Sequence, residues 1–430
     1  MYRKRGPLKG LALLVAWLAP LALLAATIRF SVNVPYQDEW EWADLAYHAK
    51  TGTLTFSQIY AAHNEHRNTI PNLVFLLFDR FGSWNILYEQ LFSVAVIVAG
   101  LAVLWRLTRR RIPGTRGAIT FAAISLLVCG FGQWENLALG YNIGWNICTS
   151  AAFAVVALLV TPSRSLRHVV AAAAVATIAS FSSGQGLLMW PVGLAAIALV
   201  PRYPYRTASA WLVVALVVIG LYYTDYHNGS PVTPARPNEA LACLQYTLAL
   251  LGTPLRSGSG VEQATDVGGF LLAALLIAAL PDVIRRTPSS FVRNAPWYAL
   301  ALYALLGAAF TAASRVHLGL ESAMASRYFA IAVFLPVAII GLVATSWPRI
   351  RPPSRVGWRF AFTAGIALMV GMEIHGLRGF EQYAADRHAE IRALRDHGSD
   401  LKRLAYPYPT RLAHLLDELR IIKDGPYAPR

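Results

Sequence analysis

Residues 10–42, GLALLVAWLAPLALLAATIRFSVNVPYQDEWEW, carry the chain from an apolar run of membrane-spanning length straight into acids and tryptophans. The polar part, Pro35-Tyr36-Gln37-Asp38-Glu39-Trp40-Glu41-Trp42, is answered about twenty-five residues later by His63-Asn64-Glu65-His66-Arg67. Little else before residue 377 is polar, so a charged segment at the end of a spanning run marks a membrane surface where chemistry is expected.

Composition supports this. The 430 residues are 56% hydrophobic and only 14% charged, which reads as an all-α polytopic membrane protein rather than a soluble multidomain chain. The net charge of +15 does not indicate nucleic acid, because the basic residues sit in short loops between apolar runs. Cys129, Cys148 and Cys243 have no CxxC spacing and read as small core residues. Met1–Lys9 followed by the apolar run to Ile28 reads as a retained signal anchor.

About eleven apolar runs follow, near 8–28, 84–105, 117–133, 143–160, 168–181, 187–200, 207–224, 267–284, 295–313, 327–346 and 359–376. Basic residues mark every second loop: Arg3 to Arg5, Arg106 with Arg109–Arg111, Arg164 with Arg167, Arg202 with Arg206, Arg285 with Arg286, and Arg349 with Arg351 and Arg355. This places the N-terminus in the cytoplasm. Nearly all acids before residue 377 fall on the other side. Residues 1–376 are therefore expected to form the transmembrane domain, with outer loops 29–84 and 225–266. The first loop is expected to hold an interfacial helix, 39–50, anchored in lipid by Trp40, Trp42, Leu45 and Tyr47, and a short apolar piece, 71–78. The stretch 238–251 is expected outside or half-inserted, with a mobile segment after it. Residues 377–430 are expected to form a small outer-face helical tail, with helical patterns near 378–396 and 409–422.

Several clusters could carry chemistry. Asp38 fits either an N-cap paired with Glu41 or a general base whose pKa is raised by desolvation between tryptophans. His66 and Arg67 suit a phosphate, with His63 and Glu65 beside them as sugar or acceptor contacts. A metal held by His63, His66 and an acid such as Asp38 rests on spacing alone, so no cofactor is expected. Gln133, Glu135, Asn136, Asn142 and Gln185 lie at outer helix ends, where amides, an acid and a neighbouring aromatic ring suit a pyranose. Arg327, with Tyr328 after it and His317 before it, opens a late helix as a second phosphate candidate. No GxxxxGK[ST] loop is present.

A cytoplasmic N-terminus, a large first outer loop opening on adjacent acids (Asp38-Glu39) and an Arg327-Tyr328 pair before a late helix together resemble the GT-C superfamily of polytopic glycosyltransferases. The DEW…HNEHR…QWENL pattern is similar to a bacterial branch of that superfamily. The resemblance covers residues 1–376. It implies a polyprenyl-phosphate sugar as donor, a glycan or lipid-linked acceptor, and a bacterial inner-membrane protein acting on its outer face in cell-envelope polysaccharide synthesis. It also implies that Asp38 is the catalytic base, with Glu39 as its neighbour. No second acidic pair suggests a metal site, and the outer domain is smaller than in the oligosaccharyltransferase branch. A lipid-linked glycan transporter or flippase, or an O-antigen polymerase or ligase, is the alternative.

Overall fold

A computed structural model describes residues 6–82, 84–161, 165–200, 203–226, 239–256, 258, 260–285, 287–346, 355–397, 406 and 408–427. Arg3, Lys4, Arg5, Arg164, Arg202, Arg286, Arg349 and Arg351 of the basic loops lie outside these, as do the expected break at 398–400 and Ser257 and Ser259 of the segment after 251.

The fold is all-α and polytopic. Helices α1 (Gly6–Phe30), α2 (Trp42–Thr51), α3 (Phe56–Tyr60) and α4 (Thr69–Gly82) surround one small hairpin, β1 (Ala62–His63) and β2 (His66–Arg67). Then follow α5 (Ile86–Arg111), α6 (Thr115–Val128), α7 (Trp134–Ala138), α8 (Ile143–Leu159), α9 (Leu166–Ser180), α10 (Met189–Leu199) and α11 (Tyr205–Tyr223). The chain continues through α12 (Ala240–Gly252), α13 (Val261–Arg285), α14 (Pro288–Arg315), α15 (Phe329–Ala332), α16 (Phe334–Ser346), α17 (Arg355–His397) and α18 (Pro409–Ile422).

Among the described residues, eight helical segments are long and apolar enough to cross a membrane, and they coincide with eight of the eleven apolar runs. The runs at 168–181 and 187–200 become α9 and α10, of 15 and 11 residues. At 1.5 Å per residue these reach only about 22 and about 16 Å, so they are half-spans meeting at the turn 181–188. The thirteen-residue α12 is also of half-span length, and it buries Tyr246 and Ala249–Leu251 in the main core. The eleventh run continues without a break into the tail: α17 is one helix of 43 residues, so its described backbone shows no boundary at 376/377. Cys129 and Cys148 are buried thiols, and Cys243 is half-buried.

A second, smaller core lies over the first. Trp40, Trp42 and Leu45 are buried in it with Phe75, Trp84 and Leu412, Leu415, Leu416 and Leu419 of α18. This corrects the expectation of lipid anchors: Trp40, Trp42 and Leu45 face protein, because the apolar stripe of α18 covers them, and Tyr47 is half-buried. Polar contacts fasten the same lid, with Arg411 ion-paired to Glu41 at 3.2 Å and to Asp44 at 3.4 Å, and Lys50 to both Asp79 and Asp424.

Candidate active site

Six chain segments, in four groups, converge on one cavity of about 1060 Å³, measured out to its mouth. The first is the 3₁₀ turn Gln37–Glu41. The second is the β hairpin, whose pairs are Ala62 with Arg67 and His63 with His66. Its two-residue tip, Asn64-Glu65, needs a left-handed residue, which Asn64 supplies at φ 49°. The third is the chain from Glu135 through the start of α8, and the fourth combines the α9–α10 turn with the end of α14 and Arg327-Tyr328.

Asp38 lines the cavity and is 45% exposed, with His63 Nε2 3.5 Å from one carboxylate oxygen. Burial works to raise its pKa, but His63, 3.5 Å away, and the positive charge of Arg327 outweigh it. The carboxyl is held below the usual range, so Asp38 is an ionised carboxylate at neutral pH, opposite to the expected rise. Nor is Asp38 the cap. The cap is Tyr36, and Glu39 reaches back to it: its Oε2 accepts from Tyr36 N at 2.8 Å and its Oε1 accepts from Tyr141 N at 3.3 Å. Glu39 is fully buried and does not line the cavity. Burial pushes its pKa up to about 7 against those backbone donors.

His66 also lines the cavity. Its Nδ1 accepts from Gly184 N at 3.2 Å, which leaves the proton on Nε2. Burial, then neighbouring His63, lowers its pKa to about 4, so it offers a donor but no positive charge. Arg67 points the other way, as alternation along a strand requires. It is 1% exposed, donates from Nε to Tyr222 O at 2.5 Å and from its two terminal nitrogens to Tyr60 O and Thr224 O, and stacks 4.0 Å from the Tyr60 ring. This corrects its assignment to phosphate, since three carbonyls already occupy the guanidinium.

Arg327 lines the cavity. Glu135 holds it, with Oε2 accepting from Arg327 N at 2.8 Å and Oε1 3.6 Å from Nη1. Asn136 is fully buried and donates to Arg327 O at 3.0 Å; it positions the arginine and does not line the cavity. Asn142 lines the cavity and donates to Glu135 O at 3.2 Å, while Glu65, Gln185 and Tyr328 also face it. Two candidates fall outside. Gln133 is buried and donates to Val128 O at 2.5 Å, and His317 is exposed beyond the end of α14.

Arg315, assigned no role in the sequence analysis, lines the cavity in an ion pair with Glu65. The signal was available: Arg315 follows Thr311 by four residues on one face of α14, and both line the cavity. The aromatic walls are Tyr141 and Trp145 rather than Trp134, which packs on Tyr383. Among the described residues, no group of three His, Cys, Asp or Glu side chains is gathered to hold a metal ion.

No protein-family model matches the chain, and no curated protein matches it. Among solved structures, ArnT from Cupriavidus metallidurans in the apo state is similar over 76% of this chain and 76% of its own, at 16% identity and a TM-score of 0.37.

Proposed function

We propose that the cavity is the active site of a membrane glycosyltransferase of GT-C type, which moves a sugar from a polyprenyl-phosphate donor to an acceptor hydroxyl on the outer face of a bacterial inner membrane. One observation carries the reading: an ionised carboxylate, Asp38, and a guanidinium, Arg327, each beside its own partner, share one cavity with the Arg315–Glu65 pair, neutral polar groups and aromatic rings. The orientation rests on α5, which runs from Ile86 beside Glu89 and the site to Arg109–Arg111, about 39 Å away at 26 residues.

The reaction is a single displacement with inversion. The acceptor oxygen forms a bond to the anomeric carbon as the bond from that carbon to the phosphate oxygen breaks, and the acceptor proton passes to Asp38. The donor phosphodiester carries one negative charge and the departing polyprenyl phosphate gains another. Arg327 neutralises that growing charge, with Arg315 in the place expected for Arg67, and His66 donates from Nε2. Glu135 and Asn136 fix Arg327 beforehand, so little reorganisation accompanies the charge development. Transfer between polyprenyl-phosphate sugars and a lipid-linked acceptor, measured in nanodiscs with wild type and Asp38→Asn, tests the reading. The expected result is a loss of about 10³-fold at unchanged thermal stability. Undiminished transfer by the variant would overturn it.

A further inference from the structure

The turn between α9 and α10 holds two buried polar groups that nothing in the protein uses. Both amide atoms of Gln185 lack a hydrogen-bond partner, and so does the hydroxyl of Ser183; the side chains are 5% and 1% exposed, and both residues line the cavity. Leaving such buried groups unpaired is costly, which calls for a partner from outside the chain. The turn that presents them is fixed from several sides. Gly184 N donates to His66 and Gly186 N to Ser183 O at 2.8 Å. A Cβ at Gly186 would stand 1.9 Å from Ala179 O, so only glycine lets the turn close this tightly.

The charged groups of the cavity are, by contrast, matched among themselves: Arg315 with Glu65, Arg327 with Glu135, and Asp38 with His63. Arg327 and Arg315 are taken by phosphate in the reading above, which leaves the Ser183–Gln185 turn to meet the sugar. We infer that the transferred sugar is uncharged and is recognised through its hydroxyls by Gln185 and Ser183. A primary amide offers donors and an acceptor side by side, and a serine hydroxyl offers both. Sugar hydroxyls match this because each both gives and accepts. An ammonium group has only donors and would leave the amide nitrogen unpaired, and a carboxylate has only acceptors and would leave the amide oxygen unpaired. A buried site built for hydroxyls discriminates strongly against groups that leave it unsatisfied.

This inference rests on the glycosyl-transfer reading, and six synthetic probes separate the two. Binding to the full-length protein in nanodiscs is measured for a short-chain polyprenyl phosphate alone and for the same lipid bearing a neutral hexose (glucose, galactose or mannose), glucosamine or glucuronic acid. At least one neutral hexosyl probe is expected to bind about 10-fold or more tightly than both charged-sugar probes. Gln185→Leu should bring that preference within about 3-fold, and Ser183→Ala should reduce it as well, which keeps the test decisive where Gln185→Leu fails to fold. Equal or tighter binding of the glucosaminyl or glucuronyl probe overturns the inference, as does a preference that survives both substitutions. If no probe binds, polyprenyl phosphate included, the glycosyl-transfer reading falls and this inference with it.

Discussion

The two walls of the cavity treat their charged residues differently. In the wall built from residues 37–67, neighbours part: Asp38 faces the cavity while Glu39 is sealed behind it, and His66 faces in while Arg67 is locked among carbonyls. In the wall built from residues 310–328, both arginines, Arg315 and Arg327, face in, each held by a carboxylate from another segment. The 3₁₀ turn at Asp38-Glu39 and the two-residue strand His66-Arg67 each put one member of the pair toward the cavity and the other away, so the two members do not share a role. The helix end at Arg315 and the turn at Arg327 each contribute a single group, and distant acids set its aim.

The largest test of that contrast is the Asp38/Glu39 pair. Asp38→Asn should lower transfer by about 10³-fold, whereas Glu39→Gln should lower it by no more than about 10-fold, because Glu39 acts only through the backbone of Tyr36 and Tyr141. Rates measured side by side on purified protein decide it. A heavier loss in Glu39→Gln would mean that the first wall is built the other way round.

The two arginines come next. Arg327→Gln should reduce kcat/KM by about 10²-fold with the fold intact. Arg67→Gln should act on stability instead, by about 2 kcal/mol or more, because it removes the buried guanidinium that the carbonyls of Tyr60, Tyr222 and Thr224 hold. Folded yield and specific activity of the folded fraction separate the two cases. Arg67→Gln protein that folds normally but fails to transfer would return Arg67 to the phosphate.

Glu39 offers a pH test of the sealed side. Its folded pKa of about 7 lies above the ordinary 4.5, so the folded state binds more protons than the unfolded state between those values. Stability should therefore fall as pH rises from about 4.5 to about 7 and level off above, by up to roughly 3 kcal/mol. Melting curves of wild type and Glu39→Gln across that range check this. The difference between them should move in favour of the variant as pH rises, and a constant difference would place Glu39 in contact with water.

Much of this was legible in the sequence, and the failures share a cause. Eight of the apolar runs are the eight long helices, and Asp38, Glu135, Gln185 and Arg327, far apart in the chain, line one cavity. Charge at the end of an apolar run is a one-dimensional signal, and it survives folding. Which way a side chain turns is not. Arg67 and Arg327 look alike in the sequence, and only the strand alternation at His66-Arg67 separates them. Trp40 and Trp42 read as lipid anchors because the stripe that buries them, Leu412 to Leu419, lies 370 residues later. Arg315 and His317 stand two residues apart in the sequence, and the end of α14 between them leaves one in the cavity and the other outside it.

The smallest expected effect is also the one that bears most directly on how the inward-facing carboxylate is kept ready. Burial alone would raise the Asp38 pKa; His63, whose Nε2 stands 3.5 Å from the carboxylate, is the largest influence reversing it. A base must be ionised to act, so transfer is lost as pH falls through the Asp38 pKa. Removing His63 leaves burial less opposed and should carry that acid limb to higher pH. His63→Ala should therefore keep the neutral-pH rate within about 10-fold of wild type while losing activity earlier on acidification. The shape of the kcat/KM profile separates this from a merely structural role, which would scale the curve without moving it. An acid limb that stays put would mean that Arg327 holds Asp38 ionised without help from its nearest neighbour.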